Sequence, residues 1–201
     1  MAKEKAKKST LWKNYVLLIA LVFALTAFSM IFFEMVVAID GSAAYKGYEV
    51  VFGYNKVIGY IPVVNTVTLE AVWDFSFGNL TTYISLILAI ICCVGAIAYK
   101  KQGLVLSVLT MLLFICAGVG FFNQAGNLTP YTQAAKDFYE GINTPADKIT
   151  EIVNEMTLAA RGAHKIAWAA YVGAASCFVA AGAALASKIG WQALEKKGKA
   201  K

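Results

Sequence analysis

Four stretches of the chain carry almost no polar side chain. Residues 14–33 read NYVLLIALVFALTAFSMIFF, twenty positions without a formal charge. At about 1.5 Å per helical residue, that length crosses a hydrocarbon core about 30 Å thick. The pattern predicts a first transmembrane helix over 14–39, continuing past Phe33, and three more spans at 80–99, 103–122 and 164–187. Between the second and third lies only Lys100-Lys101-Gln102, so those two helices must be antiparallel neighbours joined by a tight turn.

The polar segments have patterns of their own. Residues 40–78 alternate: Tyr48, Val50, Phe52 and Tyr54 share one face at a period of two, residues 57–64 are rich in β-branched side chains, and Val67, Leu69, Ala71, Trp73 and Phe75 alternate with polar positions. These are three expected strands of a small antiparallel sheet. Residues 123–163 read as helical. A short helix is expected at 129–140, and Thr144-Pro145-Ala146-Asp147 is a helix start, with Thr144 as N-cap and Pro145 in the first turn. Ile149, Ile152, Val153, Met156 and Ala160 recur at helical spacing, and nothing stronger than Gly162 interrupts the run into the fourth span. One long helix over 145–194 is predicted, its apolar stripe covering the sheet. The fourth span is crowded with Ala and Gly, which marks either the packed centre of a bundle or an oligomer face.

The fold class that follows is an α-helical membrane protein. It comprises a four-helix transmembrane bundle and a small extracellular antiparallel β-sheet packed on an extended outer helix. Composition agrees: 59% of residues are hydrophobic, above the roughly 45–50% of soluble domains. The net charge of +6 divides unevenly. The tail 1–13, the inner turn and the tail 188–201 hold twelve lysines against Glu4 and Glu195, a net of +10. The long loops and the end of the first span hold six basic against ten acidic residues, a net of −4. The positive-inside rule then places both termini in the cytoplasm and both long loops outside a plasma membrane. Lys-rich ends beside an anionic leaflet need no nucleic acid to explain them. The first apolar run exceeds the 7–15 residues of a signal-peptide core and no small-x-small site follows closely, so an uncleaved anchor is expected.

Candidate chemistry is sparse. His164 is the only histidine, which excludes a multi-histidine metal site or a bis-imidazole haem; its readings are an interfacial residue near the headgroups or a pH sensor. Cys92, Cys93, Cys116 and Cys177 all fall within spans and none forms C-x-x-C, which removes an exposed redox dithiol. Glu34 is either an ion ligand or a carboxylate at the headgroup layer, paired with Lys165 or Arg161. No catalytic, metal or cofactor set is present, and no enzyme is expected. Asn79 and Asn127 open N-x-T sequons. Exposed aromatics of the loops, Tyr45, Tyr48, Tyr54, Tyr60, Trp73 and Tyr131, are the candidate interface; packing between sheet and helix is the alternative for each.

The layout resembles that of claudin-like tetraspan membrane proteins: inner termini, a β-rich first outer loop of about forty residues, a tight inner turn and a helix extended above the bilayer. It departs from them in that Trp73 stands without their W-x-n-GLW-C-C pattern, the loop has no cysteine, and the fourth helix rather than the third is extended. Residues 47–54, Phe75-Ser76-Phe77 and Lys100-Lys101 also look like those of small uncharacterised four-span proteins of Gram-positive bacteria, over about residues 10–125. Neither resemblance brings an activity with it. The expected function is non-enzymatic: protein–protein contact through the outer layer, as a homo-oligomer or as an accessory subunit, with membrane lipids as the surroundings. An oligomeric channel or small-solute transporter, with Glu34 facing a wet cavity, is the alternative.

Overall fold

A computed structural model describes the backbone of residues 2–53, 57–61, 66–69, 73–99, 103–129 and 133–199, and the side chains of 11–53, 73–99, 105–129 and 136–189. Among the described residues, four helices are long and apolar enough to cross a membrane: Leu11–Phe32, Phe77–Ala98, Val105–Phe122 and Trp168–Ile189. They point to a multi-pass membrane protein. The chain divides into two compact units, a helical unit (Met1–Met30, Thr81–Phe122, Tyr171–Lys201) and a sheet unit (Ile31–Leu80, Asn123–Ala170).

The helical unit is drawn from α1 (Ala2–Ser29), α3 (Phe77–Ala98), α4 (Gly103–Phe122) and α7 (Trp168–Lys199). Buried positions recur three or four apart: Leu17, Ala20, Ala24 and Ala27 on α1, Leu86, Ala89, Cys93 and Ala96 on α3, Ala174, Cys177, Ala181 and Ala184 on α7. Bulky side chains such as Leu18, Val22, Ile87, Ile91, Leu112 and Val179 stay exposed. Small residues inward and large ones outward is the arrangement suited to lipid, where helices gain from close backbone approach rather than from hiding leucines. The Cys93 thiol reaches the Leu17 carbonyl at 3.4 Å. A Cβ on Gly120 would collide with Thr82, and one on Gly95 would lie 3.3 Å from Leu106, so α3 and α4 run antiparallel in close contact. Gly173 abuts Phe121, and Ser187 meets Ser107 at 3.5 Å, which sets α7 antiparallel to α4. Half of the α7 span is buried, against a third of each of the others. Its small-residue face is therefore used inside the chain.

The sheet unit departs from the sequence pattern at each of its joints. α1 gives way to a 3-10 turn at Met30–Phe32, and residues expected to prolong the first helix to 39 form β1 (Glu34–Ala38) instead. The apolar requirement is already met by Phe32, and the β-branched pair Val36-Val37 gains two strand neighbours. β1 pairs antiparallel with β2 (Ala44–Lys46) on one side and β5 (His164–Ile166) on the other, giving the order β2-β1-β5. The long helix predicted over 145–194 is thus two: α6 (Ala146–Gly162) ends, β5 pairs with β1, the Ala167 N–H donates to the Met35 carbonyl, and α7 begins. The start of α6 also shifts, with Pro145 as N-cap and no side-chain cap from Thr144. Of its expected apolar stripe only Ile149 is buried, and Met156 is open. The short helix α5 is Gln133–Gly141.

Of residues 48–54, read as a strand, 48–52 belong to a helix, α2 (Gly47–Phe52), and Tyr54 lies outside the described residues. Gly47, Val50 and Val51 are its buried face, a spacing of three and four that competes with the period-two pattern in the same residues. The Lys46 N–H donates to the Glu49 carboxylate at 2.7 Å, which satisfies a donor at the helix start. Gly53 ends it at φ +88°, and a Cβ there would lie 2.6 Å from the Trp73 carbonyl oxygen. The other two expected strands form a separate antiparallel hairpin, β3 (Val57–Ile61) with β4 (Thr66–Leu69), so the three-stranded sheet is not the one placed within 40–78.

Candidate functional site

The sheet unit contains an open cleft of about 470 Å³ at the end where the β1–β2 turn meets the α6–β5 junction. Its apolar walls are Ala38, Ile39, Ala43 and Ala163; its polar groups are Asp40, Ser42, Tyr45 and His164. The turn is locally over-determined. Gly41 adopts φ +76°, its N–H donates to the Ala38 carbonyl, and the Ala38 N–H donates to the Ala43 carbonyl at 2.9 Å. The Ile39 N–H donates to the Ala163 carbonyl at 2.9 Å, which ties the turn to the end of α6.

Both donors of Ser42 converge on one oxygen. Its N–H and its hydroxyl donate to Asp40 Oδ1 at 2.9 and 2.7 Å. These two hydrogen bonds hold the Asp40 carboxyl below its ordinary value, and His164, where protonated, adds to the effect. His164 Nδ1 lies 2.6 Å from the Ala160 carbonyl oxygen, so Nδ1 carries the hydrogen and the neutral ring keeps Nε2 as its acceptor. The ring is wedged edge-on to Trp73 (4.9 Å, 84°) and beside Tyr45 (5.8 Å), and Tyr45 and Trp73 meet at 5.4 Å. Ser42, His164 and Asp40 do not form a nucleophile relay. The serine hydrogen goes to the carboxylate and the imidazole N–H to the backbone. What they offer the cleft is acceptors: Asp40 Oδ2 and His164 Nε2.

The candidate interface aromatics separate. Tyr45 and Trp73 are core residues, 4% and 2% exposed, so they do not form an outer contact surface. Trp73 also buries its indole N–H without a hydrogen-bond partner among the described residues, at a cost of about 1–3 kcal/mol. Tyr48 is exposed, with the Lys46 ammonium 5.9 Å from its ring centroid. Tyr54 and Tyr131, and the side chain of Tyr60, lie outside the described residues. Glu34 is exposed at the head of β1, opposite Lys46 across the ladder, and not on a spanning helix. Of the partners expected for it, Arg161 donates through Nε to the Leu128 carbonyl at 2.9 Å, and Lys165 stands opposite Val37 in the β1–β5 ladder.

Asn79 is fully buried and donates to the Gln124 and Val50 carbonyls at 3.2 and 3.4 Å, which leaves a glycan no access in the folded chain. The four cysteines are free, with Cys93 and Cys177 buried. The Asp40-Gly41-Ser42 turn is absent from the elements expected of the sequence. Asp-Gly between apolar runs is a strong hairpin signal, and it would have marked the β1–β2 connection.

The chain matches no protein-family model, no curated protein and no solved structure.

Proposed function

We propose that this is a non-enzymatic plasma-membrane protein that acts through protein–protein contacts of its sheet unit, as a homo-oligomer or as an accessory subunit of a larger membrane assembly. In this reading the Lys-rich ends lie in the cytoplasm and the sheet unit outside. One observation carries it. The α5–α6 hairpin leaves Phe138, Ile142 and Leu158 between 58% and 68% exposed, on a unit whose own aromatic core is already closed around Trp73. Large apolar side chains left open on a folded polar unit are characteristic of contact surfaces. The surrounding Asp137, Glu140, Glu151 and Glu155 supply a charged rim.

The test is native mass spectrometry after gentle extraction. Phe138→Asp and Leu158→Asp, separately and together, should dissociate the complex while membrane insertion and yield stay at wild-type level. Unchanged assembly in the double variant would defeat the proposal. The channel alternative relied on Glu34 facing a wet cavity. Its place on β1 gives that reading no support.

A further inference from the structure

We propose that the cleft binds a primary ammonium group carried on a short apolar stem, with Asp40 and His164 as its hydrogen-bond acceptors. The chemistry of the walls selects the ligand. Ser42 and His164 have their donor hydrogens already spent within the protein, and the Asp40 carboxylate has none to give. Ser42 gives both hydrogens to Asp40 Oδ1, and His164 gives its Nδ1 hydrogen to Ala160. Asp40 Oδ2 and His164 Nε2 remain, one of them formally negative. A carboxylate oxygen and an imidazole nitrogen as acceptors favour a ligand that brings donors and positive charge. An anion would meet the repulsion of the carboxylate, and Lys165, the cation next along the chain to His164, alternates to the opposite face of β5.

Shape agrees with that choice. Ala38, Ile39, Ala43 and Ala163 give the cleft apolar walls. Its volume lies in the range of about 300–1,000 Å³ in which small organic molecules bind. Pre-organisation agrees as well. The carboxylate is locked by two hydrogen bonds within its own turn, and the imidazole is fixed by Ala160 and by the edge contact with Trp73. Neither acceptor has to be ordered at the moment of binding, which lowers the entropic cost of a weak, small ligand. The source of the ammonium is open to two answers with the same chemistry, a free amine or the ethanolamine headgroup of a lipid.

Because His164 is the only histidine, one labelled residue reports on the site. Full-length protein with ¹⁵N-histidine in phosphatidylglycerol nanodiscs is titrated with n-butylammonium chloride at constant ionic strength. A saturable shift of the His164 Nε2 resonance is expected, with none from n-butanol. Asp40→Asn should weaken binding about tenfold or more. Asparagine can accept the same Ser42 hydrogens, so the turn should survive the change. The butanol comparison is made on the wild type and does not depend on the variant folding. A shift that never saturates, an equal response to butanol, or unchanged binding in a folded Asp40→Asn would overturn the proposal. Adding phosphatidylethanolamine to the nanodiscs separates the sources. If it shifts the same resonance and competes with butylammonium, the ligand is a headgroup; if it does neither while butylammonium binds, the ligand is a free amine.

Discussion

At the level of single residues, the Asp40–Ser42 pair illustrates how a short polar turn sets the charge of a site. Asp40 is fully exposed, so burial contributes little; two local hydrogen bonds stabilise its charged form. Its pKa falls below the unfolded value of 3.8, and the sign of the linkage follows. The stabilisation is fully present above the unfolded pKa and is lost as pH drops through the lower, folded one. The larger share comes from the serine side chain. Ser42→Ala should therefore raise the Asp40 midpoint toward the ordinary carboxylate value, read from the ¹³Cγ shift of Asp40 across pH 2 to 6. A midpoint that does not move would mean that the backbone N–H and the charge on His164 suffice. The same turn was legible in the sequence as Asp-Gly. The fate of Tyr45 and Trp73 was not. Nothing local distinguishes an aromatic that closes a core from one that meets a partner, because the difference is made by His164, more than ninety positions away from Trp73.

Among the elements, the spanning helices and the polar joints behave oppositely, for a physical reason. A span is specified by its own residues: twenty apolar positions and charged ends settle it, and α4 begins and ends where the pattern places it. The joints are specified by partners. β1 and β5 are five and three residues long, too short for any periodicity to register, and they exist because each supplies the other's hydrogen bonds across more than 120 residues of sequence. The helical pattern ran through both of them because Met35, Val36 and Ile166 are as apolar as the helices they follow or precede. Within the helical unit the close approaches are local enough to test by pairs. Gly120 sits against Thr82 with no room for a Cβ, whereas Gly182 has nothing within 4 Å. Gly120→Ala should destabilise the folded protein by about 1–3 kcal/mol, the usual cost of overpacking. Gly182→Ala should be neutral or slightly stabilising, since alanine favours the helix by up to about 1 kcal/mol over glycine. Thermal unfolding in detergent micelles, followed by circular dichroism, separates the two. Equal effects would show that the α3–α4 contact is not tight.

For the whole molecule, connectivity makes a claim stronger than any single charge count. The sheet unit is assembled from both long connections, Ile31–Leu80 and Asn123–Ala170, stitched by the β1–β5 ladder and by Ser76 Oγ donating to the Asn127 carbonyl at 2.6 Å. Two connections that share one sheet cannot lie on opposite sides of a membrane. If all four apolar helices span, the termini then share the other side. In the proposed reading the excess of lysine near residues 1–13, 100–101 and 188–201 is what assigns that side to the cytoplasm. In a variant whose four native cysteines are replaced by alanine, Asn154→Cys and Ser42→Cys should both react with a membrane-impermeant maleimide on intact cells. Ser9→Cys should react only after permeabilisation. Labelling of Asn154→Cys without Ser42→Cys would break the sheet unit, because it would separate the two connections that the β1–β5 ladder joins. Labelling of Ser9→Cys alone in intact cells would keep the fold and invert the protein, turning the sheet unit and its cleft toward the cytoplasm, where its partner would then have to be sought.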